Sequence, residues 1–119
     1  MKYRVGITGW GEEALMMIDK LLILFNDDAP QELKEVSVLC SKGELLSEPT
    51  VGDSLLIGEC AFEIQAIGSV ALNTLRELGH CTLMFTEVAC SDVLPGAIYL
   101  KGNPITMADI TVGTVIEIY

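Results

Sequence analysis

His80 is the only histidine in the chain, and with Cys40, Cys60, Cys81 and Cys90 it represents the two side-chain types that qualify as nucleophiles for a labile group near neutral pH. It lies within the run Gly68-Ser69-Val70-Ala71-Leu72-Asn73-Thr74-Leu75-Arg76-Glu77-Leu78-Gly79-His80-Cys81-Thr82-Leu83-Met84-Phe85. Imidazole has an unperturbed pKa of about 6.5, so it can act as base, metal ligand or nucleophile. Any chemistry needing that group is confined to this stretch. A second reading is purely structural: a partly buried histidine hydrogen-bonded to a neighbouring loop. The cysteines show no C-x-x-C spacing, so zinc and dithiol redox sites are unsupported, and the thiols read as free, small apolar side chains with no disulfide among them.

The elements around His80 follow from composition and period. Ser69 is placed to cap a helix whose buried side carries Leu72, Leu75 and Leu78, and Gly79 supplies the left-handed residue that ends it. His80 then emerges at a helix-to-strand corner. Residues 2–8 alternate like a strand, and residues 12–22 carry Leu15, Ile18 and Leu22 at helical spacing. Residues 21–25 suit a strand equally well, because their apolar run has no clear period. Asn26-Asp27-Asp28-Ala29-Pro30 reads as a turn, with Pro30 able to open a short helix over residues 31–35. Residues 36–40 read as a strand that ends near Cys40, and Glu48-Pro49 breaks the chain before the next one.

A short repeat follows: Thr50-Val51-Gly52-Asp53-Ser54-Leu55-Leu56-Ile57 matches Thr111-Val112-Gly113-Thr114-Val115-Ile116-Glu117-Ile118. In each copy a glycine turn leads into a strand, an arrangement common to small barrels and to turn-strand junctions generally. Gly58-Glu59 can fold the first copy back into residues 60–67, with Phe62, Ile64 and Ala66 on one side. Residues 81–86, 97–101 and 114–119 are further strand candidates. Seven or so short strands with one or two short helices make a mainly β domain. No Gly-rich phosphate loop or paired-carboxylate run is present, which argues against a nucleotide-binding α/β fold. Trp10, the lone tryptophan, reads as a core or edge packer rather than a sugar platform.

The 119 residues suffice for one domain with a real core, and half of them are apolar, which excludes disorder. A net charge of −10 repels nucleic-acid backbones and anionic membrane surfaces, and favours a basic or polar protein partner. No stretch approaches the roughly 18 to 20 apolar residues that cross a bilayer, and the N-terminus lacks a signal-peptide core. A cytoplasmic protein is expected.

Ile67-Gly68-Ser69-Val70-Ala71, Asn73, Leu75-Arg76-Glu77-Leu78-Gly79-His80, Thr82-Leu83 and Phe85 together resemble the glucitol/sorbitol-specific enzyme IIA component of the bacterial phosphotransferase system. Ala29-Pro30, Leu33, Gly43-Glu44-Leu45, Pro95-Gly96 and Gly113-Thr114-Val115-Ile116-Glu117 extend the resemblance over nearly the whole chain. It implies a small closed β barrel forming a single IIA-like domain over residues 1–119. It also implies a phosphocarrier without cofactor or metal, which takes phosphate from HPr on a histidine and passes it to a cysteine of IIB in a IIB/IIC permease. The oligomeric state, including a homo-oligomer, stays open.

The chain departs from the family pattern at one place. A His-Cys-His triplet precedes Gly-Glu-Leu in that pattern, its first histidine being taken as the acceptor, whereas here Cys40-Ser41-Lys42 precede Gly43-Glu44-Leu45. Three readings follow from the resemblance. His80 is the acceptor, with Thr82, Ser69 or Arg76 holding the phosphate; Cys40 is the acceptor, its thiol activated by Lys42 and His80; or the protein is a IIA-like regulatory or ligand-binding module that has lost transfer. The resemblance also predicts Cys40 and His80 close together on a common surface depression, with Lys42 and Thr82 as donors.

Overall fold

The computed structural model describes residues 1–87 and 92–119. In chain order the strands are β1 (Tyr3–Trp10), β2 (Leu21–Asn26), β3 (Val38–Cys40), β4 (Ser54–Ile57), β5 (Cys60–Ile67), β6 (Cys81–Met84), β7 (Ala97–Lys101) and β8 (Val115–Ile118). Helix α1 (Gln31–Lys34) precedes β3, α2 (Ala71–Leu78) precedes β6, and a 3-10 turn covers Met107–Asp109. Buried and exposed side chains alternate along β1, β3, β4, β6 and β8, as a sheet with one face on a core requires. The strands close into a barrel in the order β1-β3-β2-β6-β7-β5-β4-β8, β8 pairing back onto β1. Closure leaves no free edge, and the interior is filled by side chains such as Ile7, Leu22, Val38, Leu55, Ile64, Leu83, Ile98 and Ile116.

The repeat seen in the sequence is the visible part of a two-fold relation running through the whole barrel. β4 and β8 lie side by side and antiparallel, with Leu55 opposite Ile118 and Ile57 opposite Ile116. The glycines that lead into them both have left-handed backbones, Gly52 at φ 97° and Gly113 at φ 94°. Their N–H groups donate to Ile64 O at 2.9 Å and Ile7 O at 2.8 Å, so β5 and β1 are equivalent. Both strands bulge at the matching point, between Ile64 and Ala66 in β5 and between Ile7 and Gly9 in β1. The same relation pairs β7 with β3 and β6 with β2: Leu83 lies opposite Ile98 in one parallel pair, and Leu24 opposite Val38 in the other. The axis passes through the antiparallel pair β2 and β6, where Leu22 faces Leu83 and Leu24 faces Cys81.

Several local expectations are corrected. Residues 12–20 form successive turns rather than a helix, held by bonds such as Ala14 N–H to Gly11 O at 3.2 Å and Lys20 N–H to Met17 O at 2.8 Å. Leu21–Asn26, left open between helix and strand by its apolar run, is a strand, because β3 and β6 flank it and satisfy its backbone groups. In α2 the cap position falls to Val70, whose N–H donates to Pro95 O at 2.9 Å, and Ser69 makes no capping bond. The preceding Gly68 fixes that register, since a Cβ there would meet Leu94 O at 2.1 Å. The buried face of α2 is accordingly Ala71 and Leu75, while Leu78 is exposed. Cys40, Cys60 and Cys81 are free thiols, and Cys90 lies outside the described residues.

Candidate functional site

His80 sits where α2 turns into β6. Gly79 ends the helix at φ 62° and ψ 21°, its N–H donating to Leu75 O and Thr74 O. It packs so tightly on β2 that a Cβ would fall 2.0 Å from Asn26 Oδ1. The His80 N–H donates to Thr74 O at 3.1 Å, which holds the residue against the helix end. Cys81 and Leu83 point into the core, so alternation turns His80 and Thr82 to the outer face of the wall, where both are half-buried. The imidazole lies against Phe25, ring centroids 4.7 Å apart. Its Nδ1 is 3.1 Å from Leu24 O. A carbonyl oxygen only accepts, so that contact requires the proton on Nδ1 and leaves the lone pair of the neutral ring on Nε2.

The other candidate side chains do not gather around this ring. Cys40 is 2% exposed and belongs to the barrel core. Its thiol is pushed up to about 12 by burial and, secondarily, by the Asp27 carboxylate. That shift opposes the activation by Lys42 and His80 expected from the sequence. β2 lies between the two residues, so their backbones are about two strand spacings, or 10 Å, apart. Cys40 faces inward and His80 outward, so they share no surface depression. Cys81, also buried, is likewise held near 12, by burial first and then by Cys40.

Lys42 is exposed and paired with Asp28, Nζ to Oδ2 2.9 Å, a hydrogen bond that raises the ammonium and lowers the carboxyl. Arg76 pairs with Glu48, Nη2 to Oε1 3.5 Å, on the exposed side of α2. Ser69 is exposed at the opposite end of that eight-residue helix, about 12 Å of helix away from His80. Of the proposed donors only Thr82 shares a strand face with His80. Sequence reasoning missed Phe25, Asn26 and the Leu24 carbonyl. Asn26 read as a turn residue, and nothing in the local pattern signals that β2 runs parallel to β3 and antiparallel to β6. Among the described residues no three His, Cys, Asp or Glu side chains converge as metal ligands.

Residues 2–117 match the family described as the PTS system glucitol/sorbitol-specific IIA component. The chain belongs to this family. The glucitol/sorbitol-specific EIIA components of Escherichia coli strain K12 and of Shigella flexneri are each 34% identical to it over 116 residues, covering 97% of this chain and 92% of theirs. The crystal structure of a PTS system IIA component from Enterococcus faecalis V583 superposes with a TM-score of 0.82 at 30% identity, covering 96% of this chain and 97% of that one. The eight-stranded barrel with short helices is therefore the fold of a solved IIA component. Membership also makes components of the phosphotransferase system the partners of this protein. Among the described residues no helix is long and apolar enough to cross a membrane.

Proposed function

We propose that this protein is the IIA phosphocarrier of a glucitol/sorbitol-class sugar phosphotransferase system, acting in the cytoplasm as a single IIA-like domain and carrying phosphate on Nε2 of His80. The observation that carries the reading is the 3.1 Å contact of Nδ1 with Leu24 O, which fixes the tautomer with Nε2 free to attack. In the forward step the Nε2 lone pair bonds to phosphorus as the bond from phosphorus to phospho-HPr breaks, and that electron pair leaves with HPr. In the return step a thiolate of IIB attacks the phosphorus, the bond to Nε2 breaks, and the neutral imidazole is restored. Throughout, Nδ1–H keeps donating to Leu24 O, and Phe25 holds the ring plane. Thr82, on the same face of β6, is the hydroxyl best placed to donate to the phosphoryl oxygens. Lys42, Arg76 and Ser69 lie elsewhere and are not assigned to the site, and the buried thiol of Cys40 is not the acceptor.

Labelling with phosphoenolpyruvate, enzyme I and HPr tests this. The expected result is an acid-labile, base-stable phosphohistidine in the wild type that is lost in His80→Gln and retained in Cys40→Ser. Label retained in His80→Gln and lost in Cys40→Ser would move the acceptor to the thiol. A wild type that binds HPr without becoming labelled would leave a IIA-like binding module.

A further inference from the structure

The internal two-fold relation provides a comparison within the molecule. A Cβ on Gly11 would fall 2.1 Å from Lys34 O and 2.3 Å from Glu35 O, and one on Gly68 would fall 2.1 Å from Leu94 O and 2.3 Å from Pro95 O. The Gly11 N–H donates to Ser37 O at 3.1 Å as the Gly68 N–H does to Ala97 O at 2.7 Å. The Glu13 N–H donates to Glu35 O at 2.9 Å as the Val70 N–H does to Pro95 O at 2.9 Å. The same backbone frame is thus built twice.

The side chains on the two frames differ. Where one copy carries Ile67, Leu94 and Pro95, the other carries Trp10, Lys34 and Glu35. These three, with Glu12, Gln31 and Leu39, line an open cavity of about 460 Å³ between β1, α1 and β3. Since the frame forms with apolar residues in its second copy, folding does not call for the polar set. Trp10 is 41% exposed rather than packed as an edge residue. Ser37 is fully buried, and its Oγ is the buried side-chain polar atom that lacks a hydrogen-bond partner among the described residues. Val38 enters the core, so alternation sets Ser37 and Leu39 on the same side of the chain, and Leu39 borders the cavity.

The chemistry of this lining selects a ligand class. An exposed indole face suits a C–H surface, and amide, ammonium and carboxylate groups together satisfy hydroxyls, each of which donates one hydrogen bond and accepts others. Two carboxylates against one ammonium disfavour a phosphate or a nucleotide. We propose that the cavity binds a neutral polyhydroxylated molecule of monosaccharide or hexitol size, stacked on Trp10 and hydrogen-bonded by Gln31, Lys34 and the Glu12 and Glu35 carboxylates. His80 is not among the residues lining the cavity, and the proposal does not rest on the phosphoryl-transfer reading.

Trp10 is the only tryptophan, so emission excited on the red edge, where the three tyrosines do not absorb, reports the surroundings of this cavity. Titration of the intact protein with D-glucitol and with D-mannitol is expected to give a saturable change in emission at millimolar or lower concentration for at least one of them. D-glucitol 6-phosphate should bind more weakly. Gln31→Ala and Lys34→Ala should each weaken the neutral ligand about tenfold, equal to about 1.4 kcal/mol, with an unchanged melting temperature. Absence of a saturable change with both polyols overturns the proposal. So does tighter binding of the phosphorylated polyol, or a response unaltered in both variants. Phosphorylation of His80 in the labelling assay has no bearing on any of these outcomes.

Discussion

Gly79→Ala places two separable strains on the corner that positions His80. The first is conformational: at φ 62° an L side chain sits in the left-handed region, at a cost of about 1 to 2 kcal/mol. The second is steric, since the new Cβ would lie 2.0 Å from Asn26 Oδ1 and 2.6 Å from Asn26 Cγ. Displacing a packed side chain costs about 1 to 3 kcal/mol. Together they lower stability by about 2 to 5 kcal/mol, a fall in Tm of roughly 8 to 20 °C at about 4 °C per kcal/mol for a domain of this size. Asn26→Ala removes both side-chain contacts and leaves the Asn26 backbone N, 3.2 Å from the new Cβ, as the remaining close neighbour. In that background Gly79→Ala should cost only about 1 to 2 kcal/mol, so a double-mutant cycle followed by urea unfolding should return a coupling of about 1 to 3 kcal/mol. An equal cost in both backgrounds would refute the steric argument, and a loss under about 1 kcal/mol in wild type would refute the conformational one.

Gly11→Ala and Gly68→Ala both drive a Cβ into backbone carbonyls, so each should destabilise by at least about 1 to 3 kcal/mol in denaturant melts, with the two losses similar. With Cys90 replaced by serine, thiol labelling at pH 8 should modify Cys60 first, and Cys40 and Cys81 should react only on unfolding, as read by mass spectrometry. The Lys2 ammonium, bonded at 2.6 Å, and the Thr50 N–H hold the Asp53 carboxyl below its ordinary range. Its folded pKa is below its unfolded one, so its contribution is present above the unfolded value and lost as pH falls through the folded value. The stability gap between wild type and Asp53→Asn should therefore be constant near neutrality and close below about pH 4 in urea melts.

Period and punctuation were enough to locate most strands. Ala97–Lys101 matches the expected span, and Gly79 ends α2 as its position in the chain suggested. Residues 12–20 misled because Leu15 and Ile18 recur at a spacing that suits consecutive turns packing on a core as well as a helix. β2 was ambiguous for a related reason: its outward positions Leu21, Ile23 and Phe25 are apolar and at least half-buried like its inward ones, so the run has no period to read. The site was less legible. His80 stood out by residue type, but its orientation depends on Leu24 O, Phe25 and Asn26, which reach it through strand pairing rather than sequence proximity. Cys40 could be aligned with a family position, but its burial follows from β3 turning it into the barrel.

The wall order also bears on how the chain folds. β1 needs β8 on one side, from the far end of the sequence, and β2 needs β6, so the N-terminal strands remain open-edged until late segments arrive. Such non-local pairing slows collapse to the native state, because loop-closure entropy is lost before contacts compensate. During synthesis the emerging N-terminal half would expose Leu22, Leu24 and Val38 beside unpaired backbone, a surface prone to self-association. Expression at lower temperature or with chaperones should therefore raise the soluble yield more than surface-charge changes would, in a chain already at −10.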